Sequence, residues 1–308
     1  MTVRLKTLLC AAVLLVAATA LSGCGGSDDK NSVSSSELAA PFKYDSSRPL
    51  DLKTRSTSAN IKGGGVKVKD ISFAGPSGDV IHGFLVEPKS AGPHPAVVFV
   101  HGAGGDRLEM LDKAIALGRR GVVGLTMDMA YSPLRAASLP PGMAGLRQRT
   151  DTEVESVREV RRAVDLLQAQ PSVDDDRIGY VGWSAGARMG AVTAGVDHRI
   201  KAFDLFAGGS TPVSDYVRLA PKSLQAELGA VLGKTDPLRY VGHASPSTIL
   251  FQDGRKDELV PQKALKTMYQ TASEPKELRW YNTGHVPGNK AWNDSRAWLS
   301  EKLGLTQS

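Results

Sequence analysis

Gly182-Trp183-Ser184-Ala185-Gly186 follows the apolar run Ile178-Gly179-Tyr180-Val181 and precedes a stretch compatible with a helix. A serine on a tight strand-to-helix turn sits in strained backbone, and flanking glycines leave room for the chain that crosses it. The pentapeptide has the pattern of a nucleophile elbow and points to acyl transfer by an activated serine. A serine hydroxyl is a poor nucleophile near neutral pH, so it needs an imidazole to take its proton and an acid to orient that imidazole. Both lie downstream, in the order serine, acid, histidine. Asp257 follows an apolar run ending at Phe251, and His285 follows one ending at Tyr281, within Thr283-Gly284-His285. Each falls just past a predicted strand, so the two can converge with Ser184 at one edge of a sheet.

Other titratable residues compete for these roles. Asp253, two residues past Phe251, is an alternative acid, and Glu258 a weaker one. Asp128 and Asp204 also follow predicted strands, where such residues more often cap helices or hold loops. His82, His94, His198 and His243 lack metal-ligand spacing and read as surface or loop histidines. Asp174-Asp175-Asp176 lacks the glycine and terminal glutamate of a calcium loop and reads as a solvated turn. Arg135, Arg147 and Arg149 read as a solvated charged face rather than as a site for a substrate carboxylate.

The elements that must position Ser184, Asp257 and His285 alternate in type. Val66–Phe73 and Val80–Val86 are short alternating runs around Gly75-Pro76-Ser77-Gly78, which predicts an antiparallel lead-in pair. Strands are then predicted over Ala96–Val100, Val122–Met127, Ile178–Val181, Ala202–Phe206, Thr248–Phe251 and Leu278–Tyr281. Helices are predicted over Leu108–Arg120, Asp151–Gln170, Ala185–Ala194, Gln262–Thr271 and Asn289–Leu303. Such alternation implies an α/β fold, a mostly parallel sheet with helices on both faces. Two long connections, Asp128–Arg149 and Gly208–Pro246, leave the carboxyl ends of strands, where ligands bind in such sheets, and are candidate pocket walls. The second contains one amphipathic helix, with Leu224, Leu228, Val231 and Leu232 at helical spacing.

The 308 residues are 41% hydrophobic and 23% charged, an ordinary globular composition that suggests one large domain. Discounting Arg4 and Lys6, the net charge falls from +6 to +4 (6 − 2). No basic cluster is interleaved with aromatics, which argues against a nucleic-acid partner. Residues 1–23 carry those two basic residues, the apolar run Leu8 to Leu21 and then Ser22 and Gly23, the pattern of a secretory signal. Leu21-Ser22-Gly23-Cys24 resembles the lipobox of bacterial lipoproteins, which implies lipidation at Cys24 and an exported protein held to the cell-envelope membrane. Cys10 would leave with the signal, so the exported chain could hold no internal disulfide. Residues 25–40 read as a polar tether. From Pro41, the side chains Phe42, Tyr44, Leu50 and Leu52 suggest an extended segment laid on the body, within a leader region 24–65 ahead of a catalytic domain 66–308.

Taken together, the motifs resemble those of the α/β-hydrolase superfamily, in its dienelactone-hydrolase-like and prolyl-oligopeptidase-like esterase branch. His101-Gly102-Ala103-Gly104-Gly105 matches the oxyanion loop of that family, and Gly182 to Gly186 its elbow. Gly254-Arg255-Lys256-Asp257 with Val260-Pro261 matches its acid turn, and Gly284-His285 its histidine turn. The resemblance implies a carboxylic-ester hydrolase with a Ser184–Asp257–His285 triad and an acyl-enzyme intermediate, and the absence of any His/Cys/Asp cluster with ligand spacing predicts no metal or cofactor. The resemblance also places the oxyanion donors on the Ala103 and Ala185 N–H groups, with Gly104 the alternative to Ala103, and leaves His101 a structural turn. Dienelactone hydrolases proper use cysteine where this chain has Ser184, which points away from dienelactone as substrate. A peptidase on the same triad and a non-catalytic binding lipoprotein on a hydrolase scaffold are the rival readings.

Overall fold

The computed structural model describes residues 34–58 and 64–305. The predicted leader, Cys24 and the first part of the predicted tether lie outside the described residues. Among the described residues nine strands form one sheet: β1 (Lys53–Ser58), β2 (Val66–Ala74), β3 (Val80–Pro88), β4 (His94–Val100), β5 (Val123–Met127), β6 (Val173–Trp183), β7 (Ile200–Phe206), β8 (Thr248–Gly254) and β9 (Lys276–Tyr281). Their spatial order is β1-β2-β3-β5-β4-β6-β7-β8-β9. The expected lead-in pair is β2 and β3, with Ala74 opposite Val80. β3 runs antiparallel to β5, and every pair from β5 across to β9 is parallel. The helices are α1 (Ser35–Ala39), α2 (Leu111–Gly118), α3 (Gly142–Gln168), α4 (Ala185–Ala194), α5 (Val213–Val217), α6 (Lys222–Gly233), α7 (Pro237–Tyr240), α8 (Gln262–Thr271) and α9 (Asn289–Lys302).

β4 explains why the sheet needs cover on both faces. All seven of its residues are buried. Because side chains alternate along a strand, Ala96, Val98 and Val100 enter one core with Val160, Ala163, Ala187 and Ala191 of α3 and α4. Val97 and Phe99 enter a second core with Ala114, Leu117, Trp298 and Leu299 of α2 and α9. The sheet and both cores are built from residues 34–305, which form a compact unit with its own interior.

Several features depart from the sequence reading: the second long connection holds α5 and α7 besides the one expected helix, α6, and Asp174-Asp175-Asp176, read as a turn, lies within β6. β1 adds an edge strand within the region taken as tether and extended segment, and none of its six residues is buried. α3 begins at Gly142, nine residues before Asp151. Its first turn tucks under the preceding prolines so closely that a Cβ at Gly145 would lie 1.8 Å from the Pro140 carbonyl oxygen, and the glycines that permit this also hide the helix from its hydrophobic spacing. Finally, residues 35–39, read as tether, form α1, capped by Ser34 and Glu37.

The stretch from α1 to Leu50 is a strap across α3. Leu38 and Phe42 pack with Val154, Val157, Met189, Val192 and Tyr240, and the Phe42 and Tyr240 rings meet edge-on at 5.5 Å. Charge-assisted bonds fasten the rest. Arg158 donates to the Pro41 carbonyl, Arg161 to that of Phe42, and Tyr44 Oη to Asp165. Arg162, 1% exposed, donates to the carbonyls of Ser46, Arg48, Pro49 and Ala74. A buried guanidinium is tolerated because these oxygens replace its water, and removing it would strand them without a donor. Arg162→Leu should therefore destabilise the protein by about 3 to 5 kcal/mol and expose residues 41–50 to protease. Urea unfolding and limited proteolysis would check this, and an unchanged midpoint would refute the clasp.

Candidate active site

Ser184 lies between β6 and α4 with φ 54° and ψ −111°, a conformation that L-residues rarely adopt. Close packing on both sides enforces it. A Cβ at Gly182 would fall 2.6 Å from the Gly186 carbonyl, and one at Gly186 would fall 2.4 Å from the Val100 oxygen. Tyr180 Oη donates to the Gly186 carbonyl at 2.6 Å, tying the first turn of α4 to the middle of β6.

The two downstream turns meet at this edge. The backbone N–H groups of Arg255 and Lys256 donate to the carbonyls of Tyr281 and Thr283, and a Cβ at Gly254 would come within 2.2 Å of the Gly284 oxygen, so only glycine lets the turns approach this closely. Asp257 Oδ1 accepts from the N–H groups of Leu259 and Val260, which aims Oδ2 at His285 Nδ1, 2.9 Å away. His285 Nε2 stands 2.8 Å from Ser184 Oγ. The Asp257 side chain is fully buried and that of His285 nearly so. Asp257 thus meets His285, while Asp253 does not. Asp253 lies deeper, with Oδ2 buried and unpartnered among the described residues. Burial, with the neighbouring Asp257 charge adding to it, pushes its carboxyl up to about 7. Asp204 is raised to about 7 by burial and accepts from Gln252 Nε2.

The loop after β4 closes the site. His101 is buried and uses both ring nitrogens on backbone: Nδ1–H donates to the Gly102 carbonyl and Nε2 accepts from the Met129 N–H. Burial lowers its pKa, and both contacts suit a neutral ring that holds the turn. Gly102 lies against the Trp183 ring and Ser184 Cβ. The loop bonds leave the Ala103 N–H without an acceptor among the described residues, and the Ala185 N–H, first in α4, is one of those with no intrahelical partner.

Several supporting residues had no signal in spacing or periodicity. Trp183, the variable residue of the elbow, donates from Nε1 to the His285 carbonyl at 3.0 Å and bridges the histidine turn to the loop after β4. Tyr131 Oη donates to the His101 carbonyl at 2.6 Å, Ser132 to that of Gly105, and Glu109 Oε2 accepts from the Gly102 N–H. Asp128 holds Arg107 through both carboxylate oxygens. Arg135 is neither solvated nor open to a substrate, because it bonds the Asp128 carbonyl, Asp79 and the buried Glu159. Arg147 and Arg149 are exposed and pair with Glu227 and Glu153. Asp174, Asp175 and Asp176 come together at the start of β6, the end remote from Ser184, where Asp174 pairs with Arg177.

Comparison with known proteins identifies the lineage. Residues 81–290 match the dienelactone hydrolase family. The chain belongs to that family. This dienelactone hydrolase family member is 29% identical over 154 residues to a polyketide transferase of Stachybotrys chlorohalonatus, spanning 49% of this chain and about half, 48%, of that one. It is 27% identical over 218 residues to an uncharacterized protein of Mycobacterium tuberculosis, 68% of each chain. In structure it is similar to an acetyl xylan esterase from Paenibacillus sp. R4, with a TM-score of 0.70, 20% identity, and 87% and 93% of the two chains covered. It is likewise similar to a cold-adapted esterase from an Arctic intertidal metagenomic library, with a TM-score of 0.60, 18% identity, and 80% and 97% covered. These likenesses establish the α/β-hydrolase fold, and the family establishes a hydrolase.

The buried acids have a pH consequence. In the native protein Asp253 and Asp204 keep protons up to about pH 7, whereas an ordinary aspartate releases its proton near 3.8. Between these values the native state binds more protons than the unfolded chain, so stability falls as pH rises through this window. Asp253→Asn should flatten part of that fall. Urea unfolding between about pH 4 and about pH 8 would test it, and an undiminished slope would contradict a neutral Asp253.

Proposed function

We propose that the chain is a serine hydrolase of carboxylic esters that works through an acyl-enzyme. The continuous hydrogen-bond line from Ser184 Oγ through both nitrogens of His285 to Asp257 supports this reading. Ser184 Oγ attacks the ester carbonyl carbon as its proton passes to His285 Nε2. Asp257, accepting from Nδ1–H, fixes the tautomer and stabilises the imidazolium. Charge that develops on the carbonyl oxygen meets the N–H groups of Ala103 and Ala185, the latter at the positive end of α4. His285 then returns the proton to the departing alcohol. Water, activated by the same nitrogen, releases the acid and restores Ser184. No step calls for a metal.

Ser184→Ala and His285→Ala should each lower kcat on a short p-nitrophenyl ester by about a million-fold, and Asp257→Asn by about ten-thousand-fold, because the three act as a unit. Fluorophosphonate should label the wild type and not Ser184→Ala, and EDTA should leave turnover intact. Harm from Asp253→Asn with Asp257→Asn harmless would reassign the acid. Turnover of peptides in place of esters would favour the peptidase reading, and no turnover with no labelling the binding-protein reading.

We also propose export, and lipidation at Cys24, from the apolar run and the Leu21-Ser22-Gly23-Cys24 sequence. The several acyl chains of a bacterial lipoprotein bury many methylenes at about 0.8 kcal/mol each, enough for stable anchoring. Cys24→Ser should abolish fatty-acid labelling of the expressed chain. A wild type that carries no lipid and fractionates as soluble would leave export alone.

A further inference from the structure

Asp253 is a buried acid that the proposed mechanism does not use. Its side chain is 2% exposed, and Oδ2 has no hydrogen-bond partner among the described residues. Where the acid turn meets the histidine turn, Asp253 lines a cavity of about 10 Å³ together with Gly254, Thr283, Gly284 and His285. Such a space has room for about one water, so no substrate reaches the carboxyl. Asp253 can act on the reaction only through its neighbours.

The charge around it is of one sign. Burial, and after it the charge of Asp257 on the same turn, raise the Asp253 carboxyl to about 7, while a hydrogen bond from the Ala207 backbone pulls the other way. Tyr281 of β9 lines the same cavity, but its hydroxyl is bonded to Gln252 and Asp294. Glu258, which is exposed, lies against Gly284. β7 and α9 bring the uncharged side chains of Phe206 and Ala291. Among the described residues no positive charge pulls the Asp253 carboxyl down. The first to arise at the cavity is the imidazolium formed when His285 takes the Ser184 proton.

We infer that Asp253 is a positioning residue for the proposed ester hydrolysis: once ionised, it sets a second negative charge beside Asp257 and strengthens the hold on the His285 imidazolium in the transition state. This rests on the proposed reading of the chemistry. A buried carboxyl with an unpartnered oxygen is costly to ionise, and the energy of doing so is partly returned each time the imidazolium forms. The protein then works with one carboxylate behind the base in mild acid and with two in mild alkali.

The test measures kcat/KM of the full chain on p-nitrophenyl acetate from about pH 5.5 to about pH 9, a range that brackets the Asp253 titration. Relative to wild type, Asp253→Asn should lose about three- to tenfold more at the alkaline end than at the acid end. Asp253→Ser, also uncharged, should reproduce that pattern. The wild-type profile should itself rise in two ionisations rather than one, which decides the matter even where neither variant folds. Lost packing would lower the rate at every pH, so a defect that grows with pH separates charge from structure. The rate of fluorophosphonate labelling gives the same ratio where the ester is turned over too slowly to follow. A ratio that stays constant across the range, or a single ionisation in the wild-type profile, overturns the inference and leaves ester hydrolysis standing. Absence of both turnover and labelling removes the proposed chemistry, and the inference with it.

Discussion

The first turn of α4 approaches β4 and β6 more closely than side chains allow, and the geometry of the whole carboxyl edge follows from that contact. With Gly186 against the Val100 carbonyl and Gly182 against Gly186 itself, the chain can pass from strand to helix only through the positive φ of Ser184. The turn lifts Oγ out of the sheet and leaves the N–H groups at the start of α4 beside it. Such strain persists only where surrounding structure over-determines it. Here the determinants are the Tyr180 hydroxyl on the Gly186 carbonyl and the Trp183 ring wedged between Gly102 and the histidine turn. Because Trp183 reaches both, the position of His285 is coupled to that of the loop after β4.

Polar groups taken inside the protein determine how firmly the walls are held. Arg135 gathers Asp79, the Asp128 carbonyl and Glu159, so the segment after β5 is fixed to the turn between β2 and β3 and to α3. Tyr131 carries that fixation on to the His101 carbonyl. Burial raises the Glu159 carboxyl to about 8, against the pull of Arg135, which shows how much desolvation this clasp sustains. Such groups are costly to bury and specific in what they accept.

The parts of the fold that were legible in the sequence are those where one local rule decides. α4 and α8 begin and end where the motif and the apolar spacing put them, and the strands β4 to β9 follow from apolar runs. Asp257 and His285 could be singled out because each follows a strand within a recognisable turn, and the structure places Asp257 against His285 and His285 against Ser184. What stayed hidden depends on partners distant in the chain. β1, Lys-Thr-Arg-Ser-Thr-Ser, has no apolar residue and is a strand only because β2 offers it a ladder. Nothing in the spacing along α3 marks Arg162, whose role depends on the carbonyls of Ser46, Arg48 and Pro49 folded over it. Asp253 and Asp257 differ by four positions and almost nothing in type; only depth makes one a neutral buried acid and the other the partner of His285.

β1 itself carries a consequence for the protein at high concentration. An open sheet edge is a template for other strands, and a long apolar one invites chains to join edge to edge into fibrils. Here the outermost strand presents Lys53 and Arg55, and its register slips between Thr54 and Ser56, breaking the regular row of donors and acceptors a second molecule would need. Two molecules meeting at this edge bring like charges together across a ladder that does not match. The sheet therefore ends in a strand poorly suited to being copied.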